Sequence, residues 1–147
     1  MSKSTHQPPL VVRLHSEYFS SAIWFVASDI DFETASLSPE LERDIEAWND
    51  LIYEHNDAVW DGKSPRPSRD AAVLAAREAA RIATGITLAK RLATELGAHF
   101  TIQFDDAKTE RERWHHSPAP ASNPAAEAAF LALEAEEEVI RRRARRL

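Results

Sequence analysis

The chain of 147 residues has no cysteine and only three glycines, Gly62, Gly85 and Gly97. The first absence excludes disulfides, thiolate metal sites and a cysteine nucleophile, and it is compatible with a reducing cytosol. The second excludes a glycine-rich loop, because three isolated glycines cannot bring backbone amides around a phosphate. Nucleotide-dependent chemistry is therefore disfavoured, and no cofactor is expected. No Gly-x-Ser-x-Gly elbow presents a serine nucleophile. No apolar run reaches the ~18 residues of a membrane-spanning helix. The opening MSKSTHQPPL lacks the apolar stretch of a secretion signal, so a cytoplasmic protein is expected. Residues 1–9 are polar, with two prolines, and are expected to be disordered.

What is present, 44% hydrophobic and 29% charged residues, suits one domain with an appendage. Net charge is −6, unevenly spread. The final RRRARRL holds five of the 18 basic residues, leaving 13 basic against 24 acidic, a balance of −11. So acidic a body disfavours nucleic acid as the partner of the globular part.

LVVRLHSEYF (10–19) alternates apolar and polar residues, as a half-buried strand does. AIWFV (22–26) is a second strand or the first one resuming after a bulge at Ser20–Ser21. SLSPELERDIEAWNDLIYEHND (36–57) predicts a helix, with Ser38 as cap, Pro39 at the first helical position and Glu40 near the positive end of the dipole. Leu41, Ile45, Trp48 and Ile52 share one face. A proline-bearing loop, 58–68, leads to Ser68, read as the cap of a long alanine-rich helix ending at Gly97. At 1.5 Å per residue its ~29 residues would span roughly 43 Å, so Gly85 is expected to mark a bend or break. HFTIQF (99–104) alternates again and predicts a strand. SPAPASNP (117–124) reads as a linker, and 125–147 as a charged C-terminal helix. The domain boundaries are therefore 10–116 for the core, 117–124 for the linker and 125–147 for the helix. The fold class expected is an α/β (α+β) two-layer sandwich: a two- or three-stranded sheet on two helices, plus the proline-linked helix.

Three stretches, VRLHSEYFSSAIW, LSPELERDIEAWNDLIYEH and LAKRLATELGAHFTIQF, together resemble a loose family of small uncharacterised α/β proteins of high-GC Gram-positive bacteria. That family pairs an EY…LW strand with an LSPEL…AW helix, then an L…LG helix end that feeds a strand. The matching positions are Glu17, Tyr18, Ile23 and Trp24; Leu37 to Leu41 and Trp48; and Leu92, Leu96 and Gly97. Ile23 stands where the pattern has leucine. The resemblance spans roughly residues 11–104 and implies an architecture, without an established activity.

Several residue groups could carry chemistry. Asp29, Asp31 and Glu33 alternate in WFVASDIDFE and could bind Mg²⁺ or Ca²⁺. The competing reading, which we favour, is a wet exit from the core, with Ile30 and Phe32 turned inward. ERERWHHSP (110–118) holds His115 and His116, which as adjacent residues face apart and chelate poorly; there Trp114 would pack over the domain edge. Trp60 and Trp114, in loop or boundary segments, are candidate partner anchors. Phe130, Leu133 and Ile140 form a sparse apolar line on the last helix. Arg141, Arg142, Arg143, Arg145 and Arg146 form its basic end, balanced over residues 117–147 by five acids.

These features favour a non-enzymatic interaction module that acts by binding a protein partner, itself or another: a regulatory, immunity-type or accessory subunit. Its alanine-rich helix and thin sheet suit an oligomer. The alternative is a nucleic-acid-associated factor using the arginine-rich tail. A third reading is a small metal-dependent hydrolase built on Asp29, Asp31 and a histidine.

Overall fold

The computed structural model describes residues 8–146. Within them the chain forms β1 (Leu10–Leu14), β2 (Ile23–Phe25), β3 (Ser28–Asp29), α1 (Phe32–Ala35) and α2 (Pro39–Asp50). Two 3₁₀ turns, Leu51–His55 and Asp57–Val59, precede α3 (Ala71–Leu96) and β4 (Phe100–Phe104). The order closes with α4 (Glu110–Arg113), β5 (Trp114–His116) and α5 (Pro124–Arg145). The expected disorder of 1–9 falls, for residues 1–7, outside the described residues.

The strands make one mixed sheet in the order β3-β2-β1-β4-β5. β1 and β4 are parallel, with Val12 beside Ile102, and the other pairs are antiparallel. The expected class holds, but five strands replace the expected two or three. β3 and β5 have two and three residues, too few for alternation to register. Trp114, His115 and His116 are therefore a strand rather than a boundary segment. β1 also stops five residues short of the expected 10–19, because Ser16 N and Glu17 N donate to the Asp106 and Asn49 side chains and Phe19 adopts a positive φ.

Alternation decides which side of the sheet is buried. Val12, Leu14, Ile23, Phe25, Phe100, Ile102 and Phe104 point into the core. There they meet Leu41, Ile45 and Trp48 of α2, and Leu88, Leu92 and Leu96 of α3. Val11, Arg13, Trp24, Gln103 and Trp114 lie on the other face.

Local chemistry fixes the helix ends. Ser38 Oγ accepts from Leu41 N at 3.3 Å, and Pro39 stands next to it. For α3 the cap is Asp70 rather than Ser68: its carboxylate accepts from Ala72 N and Val73 N, while Ser68 Oγ accepts from Asp70 N. α3 then runs unbroken for 26 residues. Gly85 does not bend it but makes room: a Cβ there would sit 2.3 Å from Phe104 Cζ. Gly97 ends the helix at φ +83°.

The segment before α5 is tied to the body. Ser122 N donates to Thr94 O, and the Asn123 side chain donates to Ser36 O and Glu95. The Phe130 ring then packs 5.4 Å from that of Phe25 and 5.9 Å from that of Phe100. From Val139 to Arg146 every residue is exposed.

Candidate interaction surface

The parallel strands β1 and β4 end side by side, and the segments leaving them come together at that end. Asp106, after β4, accepts from Ser16 N and from the Arg81 guanidinium, and joins His15 Nδ1 at 3.1 Å. Arg81 reaches in from α3, donating to Ser16 Oγ at 2.6 Å and to Glu78 at 2.7 Å. Its own carbonyl accepts from Trp48 Nε1 at 2.7 Å. Ser16, Arg81 and Asp106 are all buried or nearly so. Burial alone would raise the Asp106 carboxyl, but hydrogen bonds from His15, Arg81 and Ser16 outweigh it and hold the pKa at about 2. The hydrogen bond to Asp106 raises the His15 pKa, against the effect of burial. Glu78 is lowered by its hydrogen bond from Arg81.

This ion-paired base anchors the loop 15–22, and α2 holds its crest. Glu17 N donates to Asn49 Oδ1 at 2.8 Å, and Asn49 Nδ2 returns a bond to Ser20 O at 3.1 Å. Phe19 N donates to the Tyr53 hydroxyl at 3.1 Å, and the Tyr18 hydroxyl donates to Ile52 O at 3.3 Å. The loop's backbone is thus fixed by side chains of other elements. Its product is Phe19, 80% exposed with φ +62°. A bulky aromatic rarely adopts that conformation, and the strain persists only where surrounding bonds enforce it. The Phe19 ring lies edge-on to Tyr53, with centroids 5.8 Å apart. Beside it opens a cavity of about 330 Å³ lined by Phe19, Ser21, Asp31, Phe32, Asp50 and Tyr53. Glu46 lines it too. Burial, with the nearby charges of Asp61 and Glu46, raises the Asp50 carboxyl. The surface is an apolar projection in an acidic surround, a form suited to binding.

The residues singled out by sequence lie elsewhere, apart from Asp31. Asp29, Asp31 and Glu33 do not converge. Asp29 sits in β3 and accepts from Ser21 N, Asp31 caps α1 through Thr34 N, and Glu33 lies in the first turn of α1. Among the described residues no group of three His, Asp or Glu side chains could hold a metal ion. Trp60 is occupied within its loop, donating to Ser64 O at 2.7 Å under the Arg66 guanidinium. Trp114 is half exposed on the outer sheet face, donating to Glu110. His115 points inward from β5 and His116 outward. Phe130 is fully buried in this chain's own core, so it is not free to anchor a partner, and Leu133 packs against that core. Ile140, Arg141, Arg142, Arg143 and Arg145 are exposed on α5, as is Arg146 just after it. Arg141, Arg142 and Arg145 pair with Glu134 or Glu138 of the same helix.

Sequence reasoning missed Phe19, Asn49, Tyr53 and the Arg81–Asp106 pair. One signal is present in the sequence: alternation fails at Phe19, where an apolar residue falls out of step just before Ser20–Ser21. No signal links Asp106 to Arg81, which stand 25 residues apart and meet only because β4 runs back along α3.

The family model described as Serratia CdiI immunity protein-like matches residues 11–107. That span holds every residue of the surface just described and stops short of β5 and α5. No curated protein and no solved structure matches the chain.

Proposed function

Since the chain belongs to the Serratia CdiI immunity protein-like family, we propose that it neutralises a protein toxin by binding it through the Phe19 end of the molecule. The observation that carries this reading is Phe19 itself, an aromatic held out at positive φ by bonds from α2 and the adjoining 3₁₀ turn. Large rigid aromatics that bury in a partner's pocket dominate many interfaces. The loop is ordered beforehand, so little entropy is lost on docking. Asp31, Glu46 and Asp50 line the cavity beside the ring, so the complementary toxin surface is an apolar socket with a basic rim.

Phe19→Gly separates recognition from folding. Glycine adopts the positive φ freely, which offsets the lost contact with Tyr53, so stability should change by less than about 1 kcal/mol. Partner affinity should fall about 30-fold or more, as for a central anchor. The experiment uses the intact chain to capture proteins from its host and expresses each candidate partner alone. Support requires a partner that arrests growth and is relieved by the wild type and not by Phe19→Gly. A toxic partner relieved equally by both chains would remove Phe19 from the interface. Captured partners without toxicity would refute neutralisation.

A further inference from the structure

The end of α5 projects beyond the body, and its charges are sorted into two blocks. Glu134, Glu136, Glu137 and Glu138 come first; Arg141, Arg142, Arg143, Arg145 and Arg146 come second. Between them stand Val139 and Ile140, 48% and 58% exposed. Ion pairs within the helix engage Glu134, Glu138, Arg141, Arg142 and Arg145. Among the described residues Glu136, Glu137, Arg143 and Arg146 make none.

We propose that this segment pairs antiparallel with the same segment of a second copy, making the protein a dimer. A two-fold interface needs a surface complementary to itself. Acid-then-base order meets that condition in the antiparallel sense only; a parallel pair would set glutamates against glutamates and arginines against arginines. Phe130, Leu133, Glu137, Ile140 and Ala144 succeed one another at the three-and-four spacing of a helical seam. The seam begins in the core at Phe130 and runs out along the exposed end. In an antiparallel pair Leu133 faces Ala144 of the other copy, and Ile140 faces Glu137. Of the flanking residues, Glu134 then meets Arg141 of the second copy on one side, and Glu136 meets Arg143 on the other. Glu137, the one charge in the seam, lies beside Arg141 of the second copy. The apolar contact is small and the charges are exposed, so the pair is weak and loosened by salt. Each dimer carries two Phe19 surfaces.

Sedimentation equilibrium of the full chain at about 0.1 mM and low salt tests this, since any Kd near or below that concentration shows as dimer. Two charge-reversed chains supply the specificity. One carries Glu134→Arg with Glu136→Arg, the other Arg141→Glu with Arg143→Glu. Each alone places like charges face to face, and its Kd should rise about tenfold or more. Mixed, the two regain every pairing, and the heterodimer should form within about threefold of the wild-type Kd. A monomeric wild type would overturn the proposal and leave this segment to another partner. Undiminished pairing of either reversed chain would also overturn it, as would a mixture that stays monomeric. The outcome is independent of toxin binding, which the dimer does not require.

Discussion

Asp106 has 8% of its side chain exposed, among His15, Ser16 and Arg81. Burial opposes its charge, yet the three hydrogen bonds place its pKa at about 2 against an ordinary 3.8. A carboxyl held below its unfolded value stabilises the fold above that value, and the contribution is lost as pH falls from about 4 towards 2. The shift is worth about 2 kcal/mol. His15 works in the opposite sense. Its pKa is raised, chiefly by the bond to Asp106, so its contribution is full below about 6.5 and lost as pH rises through the folded value. Asp106→Asn leaves Arg81 buried without its nearest counter-charge. It should cost about 3 kcal/mol at neutral pH and less at pH 3, where the wild type has already lost part of the contribution. Urea unfolding at the two pH values measures both losses. Equal losses would mean that the Asp106 charge plays no part.

At the level of elements, α3 shows how a long helix is fitted to a sheet. Gly85 costs its helix about 1 kcal/mol relative to alanine. The position tolerates nothing larger, because a Cβ would sit 2.3 Å from Phe104 Cζ and 3.0 Å from Trp48 Cζ2. Both rings are fully buried, so neither can swing away. Gly85→Ala should gain the propensity and lose more to overpacking, a net destabilisation of about 1–2 kcal/mol. A lowered thermal midpoint would show it; a raised one would mean that the rings yield. The same helix marks where sequence reading succeeds and stops. Its end at Gly97, like the Ser38–Pro39 start of α2, is local chemistry and is legible. Its start, in Ser68-Arg69-Asp70, offers two caps two residues apart, and only the folded chain chooses between them. β3 and β5 are hidden because their pairing partners, not their own two or three residues, make them strands. The acids of WFVASDIDFE are legible as a wet exit only in part: Asp29 pairs into the sheet and Asp31 caps a helix. Phe19 reads as the end of a strand, since exposure and φ belong to the folded chain and not to residue type.

The molecule as a whole joins a body matched by the family to a helix outside that match, and the join is itself part of the core. Phe130 closes an aromatic cluster with Phe25 and Phe100, and Ala126 is fully buried where α5 meets α1 and α3. The first half of α5 is therefore structural, whatever the second half does. Two changes set the halves against each other. Phe130→Ala empties a fully buried ring site, which costs about 3–5 kcal/mol, a large share of the ~5–15 kcal/mol that stabilises a typical domain. Deleting residues 139–147 removes only exposed positions among those described, together with solvent-screened surface ion pairs that add little to stability. Denaturant midpoints should fall steeply for the first and barely move for the second. The comparison belongs at low chain concentration, where pairing between copies adds nothing to apparent stability. Should the deletion cost as much as the lost ring, the far end of α5 would be packed into the fold, and its freedom to meet a second copy would go with it.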